Sequence, residues 1–222
     1  MRNGDEMMLK VNQLSKYINH KVILECISFN MTGQYLLICG KSGSGKSTLA
    51  KIIAGLDSDY SGYMSFNGTA KEDFTDKAWM KDIQYVPQYQ RDTLNGRKTV
   101  EYTLKEPLIN YKFDKASYQD RIATVIEKCM LPKEILKQRI ETLSGGQFQR
   151  VWIAKALIVE PQVLILDEAT TNLDVISEET ILDMLKSLNN TKLIIISHDS
   201  YVLNTFKGEI LELDKFDLSG FK

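Results

Sequence analysis

Tyr35-Leu36-Leu37-Ile38-Cys39-Gly40-Lys41-Ser42-Gly43-Ser44-Gly45-Lys46-Ser47-Thr48 is the stretch on which the reading of this chain turns. The short apolar run Tyr35 to Cys39, stopped by Gly40, predicts a buried strand of a parallel sheet. Lys46 to Ala54 has helical character and ends at Gly55, a fitting C-cap. Between them Gly40 to Ser47 matches G-x-x-x-x-G-K-[ST] in full. Glycines let such a backbone wrap closely, so that successive N–H groups point at phosphate oxygens. The helix that opens there adds its free N–H groups and the positive end of its dipole. Lys46 is expected to reach the β- and γ-phosphates, and the Ser47 hydroxyl to ligate Mg2+. Gly40, Lys41, Ser42, Gly43, Ser44, Gly45, Lys46, Ser47 and Thr48 are thus candidate residues for binding the phosphates of a nucleotide.

Outward from this loop, Leu9 to Leu14 and Val22 to Phe29 read as strands, as do Tyr63 to Phe66, turned at Asn67-Gly68, and Ile83 to Val86. From about Thr99 to Leu157 the signals are mostly helical. There Ile122, Val125, Ile126 and Cys129 fall on one apolar stripe. Strand signals resume at Val163 to Leu166 and at Leu193 to Ile196, with Ile181, Leu185 and Leu188 on one helical face between them. Buried strands alternating with helices predict an α/β fold with parallel strands, the helical middle being an insertion rather than an independent domain.

The strand Val163-Leu164-Ile165-Leu166 ends in Asp167-Glu168, which delivers carboxylates to the sheet edge where α/β folds bind ligands. Asp167 is placed to hold Mg2+ directly or through its waters. Glu168 is placed to polarise an attacking water as general base. Leu193-Ile194-Ile195-Ile196-Ser197-His198 repeats the arrangement with a histidine for the γ-phosphate or the water. Gln88, after the strand Ile83 to Val86, has an amide oxygen to offer to Mg2+ and the water. His20 has no such setting and is expected in solvent.

Leu143-Ser144-Gly145-Gly146-Gln147 precedes a mostly apolar helix running to Ile158. A serine and two glycines at a helix N-terminus make a second anion site, without a lysine. One nucleotide rarely needs two cradles from one chain, so the simplest use of the second is to complete the site of a partner subunit. With this motif the sequence resembles the ABC ATPases over essentially its whole length. The resemblance implies a phosphate-loop NTPase core with a mainly parallel central sheet, an N-terminal antiparallel β subdomain and a helical subdomain at about 89–160, all within one domain spanning 1–222. It implies two cassettes stacked head to tail, ATP lying between one phosphate loop and the partner's Ser144, Gly145, Gly146 and Gln147. By the same resemblance Glu168 is the catalytic carboxylate, His198 the switch histidine and Gln88 the glutamine of the loop that faces membrane subunits. Leu173 and Asp174 match the short loop that crosses the dimer interface, and Tyr17 sits where an aromatic stacks on adenine. Asp92 to Val100, with Lys105-Glu106-Pro107-Leu108, is similar to the segment after the glutamine in peptide and nickel importer ATPases. Gly96 stands where proline is usual there, and Asn172 where alanine is commoner.

A formal charge of −1 with no dominant basic block gives no electrostatic reason to expect nucleic acid as a partner. No apolar run approaches the roughly 20 residues that cross a bilayer. Met1-Arg2-Asn3-Gly4-Asp5-Glu6 does not open a secretory signal. Cys26, Cys39 and Cys129 are odd in number and widely spaced, which argues for a reducing compartment. The expected place is the cytoplasmic face of the cell membrane, attached to two transmembrane permease subunits, with an extracytoplasmic substrate-binding protein if the transporter imports. The alternative is a soluble ABC ATPase, for example one of iron–sulfur cluster assembly.

Overall fold

The computed structural model describes residues 9–88 and 90–213. The opening Met1 to Glu6 and position 89, where the helical insertion was expected to begin, lie outside them. The described residues divide into two compact units, one of residues 9–80 with 193–213 and one within residues 81–192.

In the first unit β1 (Leu9–Ile18) and β2 (Lys21–Met31) form an antiparallel hairpin. Its turn, Asn19-His20, takes positive φ at both residues (48° and 63°), and His20 is exposed as expected. β4 (Ser61–Phe66) pairs with β1, and β5 (Thr69–Ala70) folds back on β4 through Asn67-Gly68, giving the antiparallel order β2-β1-β4-β5. β1 runs four residues beyond the predicted Leu14. There its register shifts, so Leu14, Ser15 and Lys16 are all buried in succession and the period-two pattern is lost. Lys16, 4% exposed, is tolerated because its ammonium meets Asp57 at 2.9 Å and Asp59 at 3.0 Å.

β3 (Tyr35–Cys39), as predicted, lies parallel between β8 (Lys192–Ile196) and β9 (Glu209–Glu212). Leu36, Leu37 and Ile38 are at most 1% exposed, which is why this strand reads as a continuous apolar run. α1 (Lys46–Ile53) follows, and Gly55 at φ 76° ends it. α2 (Asp76–Asp82) brings the fully buried Trp79 beneath α1, its indole N–H donating to the Ile53 carbonyl at 2.8 Å.

In the second unit β6 (Ile83–Val86) and β7 (Val163–Asp167) pair in parallel, Ile83 opposite Val163 and Val86 opposite Leu166. The predicted helical middle is α3 (Val100–Asn110), α4 (Tyr118–Lys128) and α5 (Gly145–Leu157), with short 3-10 turns at Lys133–Lys137 and Ile140–Thr142. The stripe Ile122, Val125, Ile126 and Cys129 is buried to within 3%, each aliphatic side chain worth about 1.5–3 kcal/mol on burial. Burial pushes the Cys129 thiol up to about 12, which makes it a core residue rather than a nucleophile. α6 (Val175–Lys186) buries Ile181, Leu182, Met184 and Leu185. The short α7 (Ser200–Thr205) belongs to the first unit. Among the described residues no helix is long and apolar enough to cross a membrane.

Candidate functional site

The loop between β3 and α1 is shaped by backbone constraints that only glycine meets. Gly40 has φ 140°, and a Cβ there would collide with the Leu213 carbonyl. Gly45, the N-cap of α1, has φ 93°, and its Cβ would lie 2.8 Å from the Ile23 carbonyl oxygen. The loop is therefore pressed against β2 on one side and against the end of β9 on the other. Lys46 is 6% exposed and folds back over the turn, its Nζ donating to the Gly40 carbonyl at 2.8 Å and the Lys41 carbonyl at 3.0 Å. Both acceptors are main-chain carbonyls of the loop itself. Lys41, Ser42, Gly43 and Ser47 are exposed, and Gly45 and Thr48 are half-buried. The buried Ser44 Oγ has no partner among the described residues. Tyr17, 52% exposed, pairs across the hairpin with Val22, the residue before Ile23. The hairpin thus carries an open aromatic face close to the glycine loop. His198, also exposed, follows β8, and Asp199 then caps α7 by accepting from the Tyr201 N–H at 2.7 Å.

In the second unit β7 ends as read from its sequence. Asp167 is 3% exposed, and its Oδ2 accepts from the Tyr85 hydroxyl at 2.8 Å. Its Oδ1 is buried with no partner among the described residues. A buried carboxylate oxygen left in that state is costly, and a hard cation or its water is the partner that would satisfy it. Burial, and then the charge and hydrogen bond of Asp167, push the Tyr85 phenol far above its ordinary value, so it remains a donor. Glu168 sits at φ 48°, an uncommon conformation for a side-chain-bearing residue, and is half-buried. The Gln88 amide donates to Glu168 Oε2 at 3.3 Å. Gln88 therefore meets Glu168 through its amide nitrogen. The sequence analysis does not single out Tyr85; it emerges from the β6–β7 register, which sets it opposite Ile165, two residues before Asp167.

The motif Leu143 to Gln147, here called the signature, opens α5. Ser144 is its N-cap, with Oγ accepting from the Gln147 N–H at 3.2 Å while the Ser144 N–H donates to Gln147 Oε1 at 3.0 Å. The serine hydroxyl proton is not consumed by this cap and can still be donated. Gly145 is half-buried; Gly146 is buried against α6, where a Cβ would lie 2.7 Å from Ser177 Cβ. Asp174 caps α6, accepting from the Ser177 N–H at 3.0 Å and the Ser177 hydroxyl at 2.7 Å.

Fold, loop and signature together define the class of protein, and comparison with known proteins agrees. Residues 24–171 match the family model described as ABC transporter, and the chain belongs to that family. It is 37% identical over 203 residues to the nickel import ATP-binding protein NikE of Escherichia coli strain K12, covering 88% of this chain and 76% of that protein. Among solved structures it is similar to the dimeric bacterial ABC transporter cassette MJ0796, with TM-score 0.79, 28% identity and coverage of 93% and 94%. A post-hydrolysis form of MJ0796 bound to ADP and Pi matches with the same TM-score and 28% identity, covering 92% and 94%. The chain is accordingly an ATP-binding, ATP-hydrolysing subunit of a transporter.

Proposed function

We propose that this subunit hydrolyses ATP to drive import of nickel or of peptides through the membrane. NikE, which the sequence follows over most of its length, is a nickel import protein by name, and that likeness is what supports the substrate class. For the hydrolytic step, the observation that carries the reading is the pair Gln88 and Glu168, 3.3 Å apart. Glu168, on a loop just past β7, takes a proton from water. Gln88 restrains the carboxylate and offers its amide oxygen to the same water. Gly40 to Thr48 bind the triphosphate, Lys46 leaving its two carbonyl partners for phosphate oxygens. Tyr17 stacks on the base, and His198 contacts the γ-phosphate.

Mg2+ suits this donor chemistry, being an oxygen-seeking ion that needs only one or two protein ligands beside the phosphates. Asp167, Ser47 and Gln88 would hold it, and when bound it neutralises charge on the β- and γ-phosphates. A second cassette, identical or related, supplies Ser144, Gly145, Gly146, Gln147 and Asp174 in trans. Two permease subunits and an extracytoplasmic substrate-binding protein complete the assembly, placing this chain at the cytoplasmic face. Extraction of membranes with detergent tests the assignment. The subunit should co-purify with two hydrophobic proteins, and cells lacking it should lose uptake of radioactive nickel or labelled peptide. Recovery with soluble proteins alone, with both uptakes intact, would favour the soluble-machine reading.

A further inference from the structure

Tyr85 on β6 and Gln88 just past it reach the two acids at the end of β7. Tyr85 is registered opposite Ile165, so it shares a sheet face with Ile165 and, two residues on, with Asp167. That offset is about 6.6 Å along the strand, which the length of a tyrosine side chain spans. The hydroxyl arrives at Asp167 Oδ2 at 2.8 Å, while Oδ1 is buried and has no partner among the described residues. An ionised carboxylate offers about four acceptor sites, and among the described residues the Tyr85 hydroxyl fills one of them. A carboxylate fixed on one oxygen cannot rotate freely, so the other oxygen keeps one direction.

We infer that Tyr85 is a positioning residue for Asp167, holding Oδ2 so that Oδ1 is presented to the metal ion carried by the nucleotide. The inference rests on the reading of Asp167 as a holder of Mg2+. Donors that orient a metal-binding carboxylate affect metal affinity more than they affect the rest of the ligand. A phenylalanine in the same place keeps the shape of the strand and removes only the donor.

The test is made in the full-length chain carrying Glu168→Gln, so that ATP is not consumed. Mn2+ is titrated into the ATP complex and followed by electron paramagnetic resonance, and ATP affinity is measured separately in EDTA. Tyr85→Phe should weaken Mn2+ roughly tenfold while leaving metal-free ATP affinity unchanged. Unchanged Mn2+ affinity, or an equal loss with and without metal, would overturn the inference. Asp167→Asn is run beside it. If Asp167→Asn keeps full Mn2+ affinity, the metal reading itself has failed; if it loses affinity while Tyr85→Phe does not, only the role of Tyr85 has. Should Tyr85→Phe not fold, 3-fluorotyrosine placed at position 85 keeps the hydroxyl. Its 19F resonance should move when Mg2+ is added to the ATP complex, and a stationary resonance would sink the proposal.

Discussion

Gly40 to Ser47 and Ser144 to Gln147 are both glycine-bearing turns that open a helix, yet their glycines answer different steric demands. In the phosphate loop the demand is first on the backbone: Gly40 and Gly45 take φ of 140° and 93°, and main-chain carbonyls of Leu213 and Ile23 press where a Cβ would stand, the Leu24 side chain crowding Gly45 as well. In the signature the backbone is ordinary, and Ser144 is extended at φ −65°, ψ 164°. There Gly146 is required by a neighbour's side chain, Ser177. The first turn also holds a lysine in readiness, whereas the second relies on a helix start and one hydroxyl. A cradle with its own cation can grip a triphosphate alone. A cradle of neutral donors adds to a grip already made, which suits contact with a nucleotide held by another chain.

Breaking chemistry without breaking the grip gives the largest effect. Glu168→Gln should lower turnover by a factor on the order of 10²–10⁴, with ATP affinity retained, measured by phosphate release beside equilibrium nucleotide binding. Normal turnover would remove Glu168 from its role as base. Lys46→Ala attacks the grip itself. Loss of charged hydrogen bonds of about 1.5–3 kcal/mol should weaken ATP roughly 10- to 100-fold, and undiminished affinity would contradict the phosphate-loop assignment. The same substitution should leave the second cradle's helix untouched.

How far these features could be read from sequence follows from how local their causes are. β3 coincides with its prediction because an apolar run stopped by Gly40 is a local signal, and α1 ends where Gly55 says. The far half of β1 was missed because its burial is set by a register shift and by Asp57 and Asp59, more than forty residues away. α2, α7 and β9 span seven, six and four residues, too short for a hydrophobic period to declare itself. Asp167 and Glu168 were legible as acids at a strand end, but Tyr85 needed the β6–β7 register. The signature's Ser144 and Gln147 were read as ligands; that they also cap α5 is the spacing of a capping box, present in the sequence as well.

A smaller effect separates the two kinds of glycine. Gly146→Ala should cost about 1–3 kcal/mol through crowding of Ser177, read as a lower urea midpoint. Ser177→Ala removes the Oγ part of that obstacle and should restore some of the loss. Gly45→Ala has no corresponding rescue, since a backbone carbonyl and a positive φ oppose it. Equal rescue of both would erase the distinction.

The smallest effect is electrostatic and belongs to the second cradle alone. Ser177, the wall behind Gly146, is held by Asp174 through its N–H and hydroxyl. The Ser177 hydroxyl first, and then its N–H, hold the Asp174 carboxyl below the usual range against the opposing effect of burial. A depressed carboxyl contributes stability above its unfolded value of about 3.9 and loses it as pH falls through the folded value. Urea midpoints measured from neutral pH downward should therefore fall more steeply below about pH 4 in the native chain than in Asp174→Asn, which keeps a capping oxygen but has no charge to lose. Coincident curves would mean that the charge of Asp174 does not brace the signature. The phosphate loop is backed by the carbonyls of Ile23 and Leu213, which do not titrate, so the steric wall behind its glycines should be unchanged across the same range.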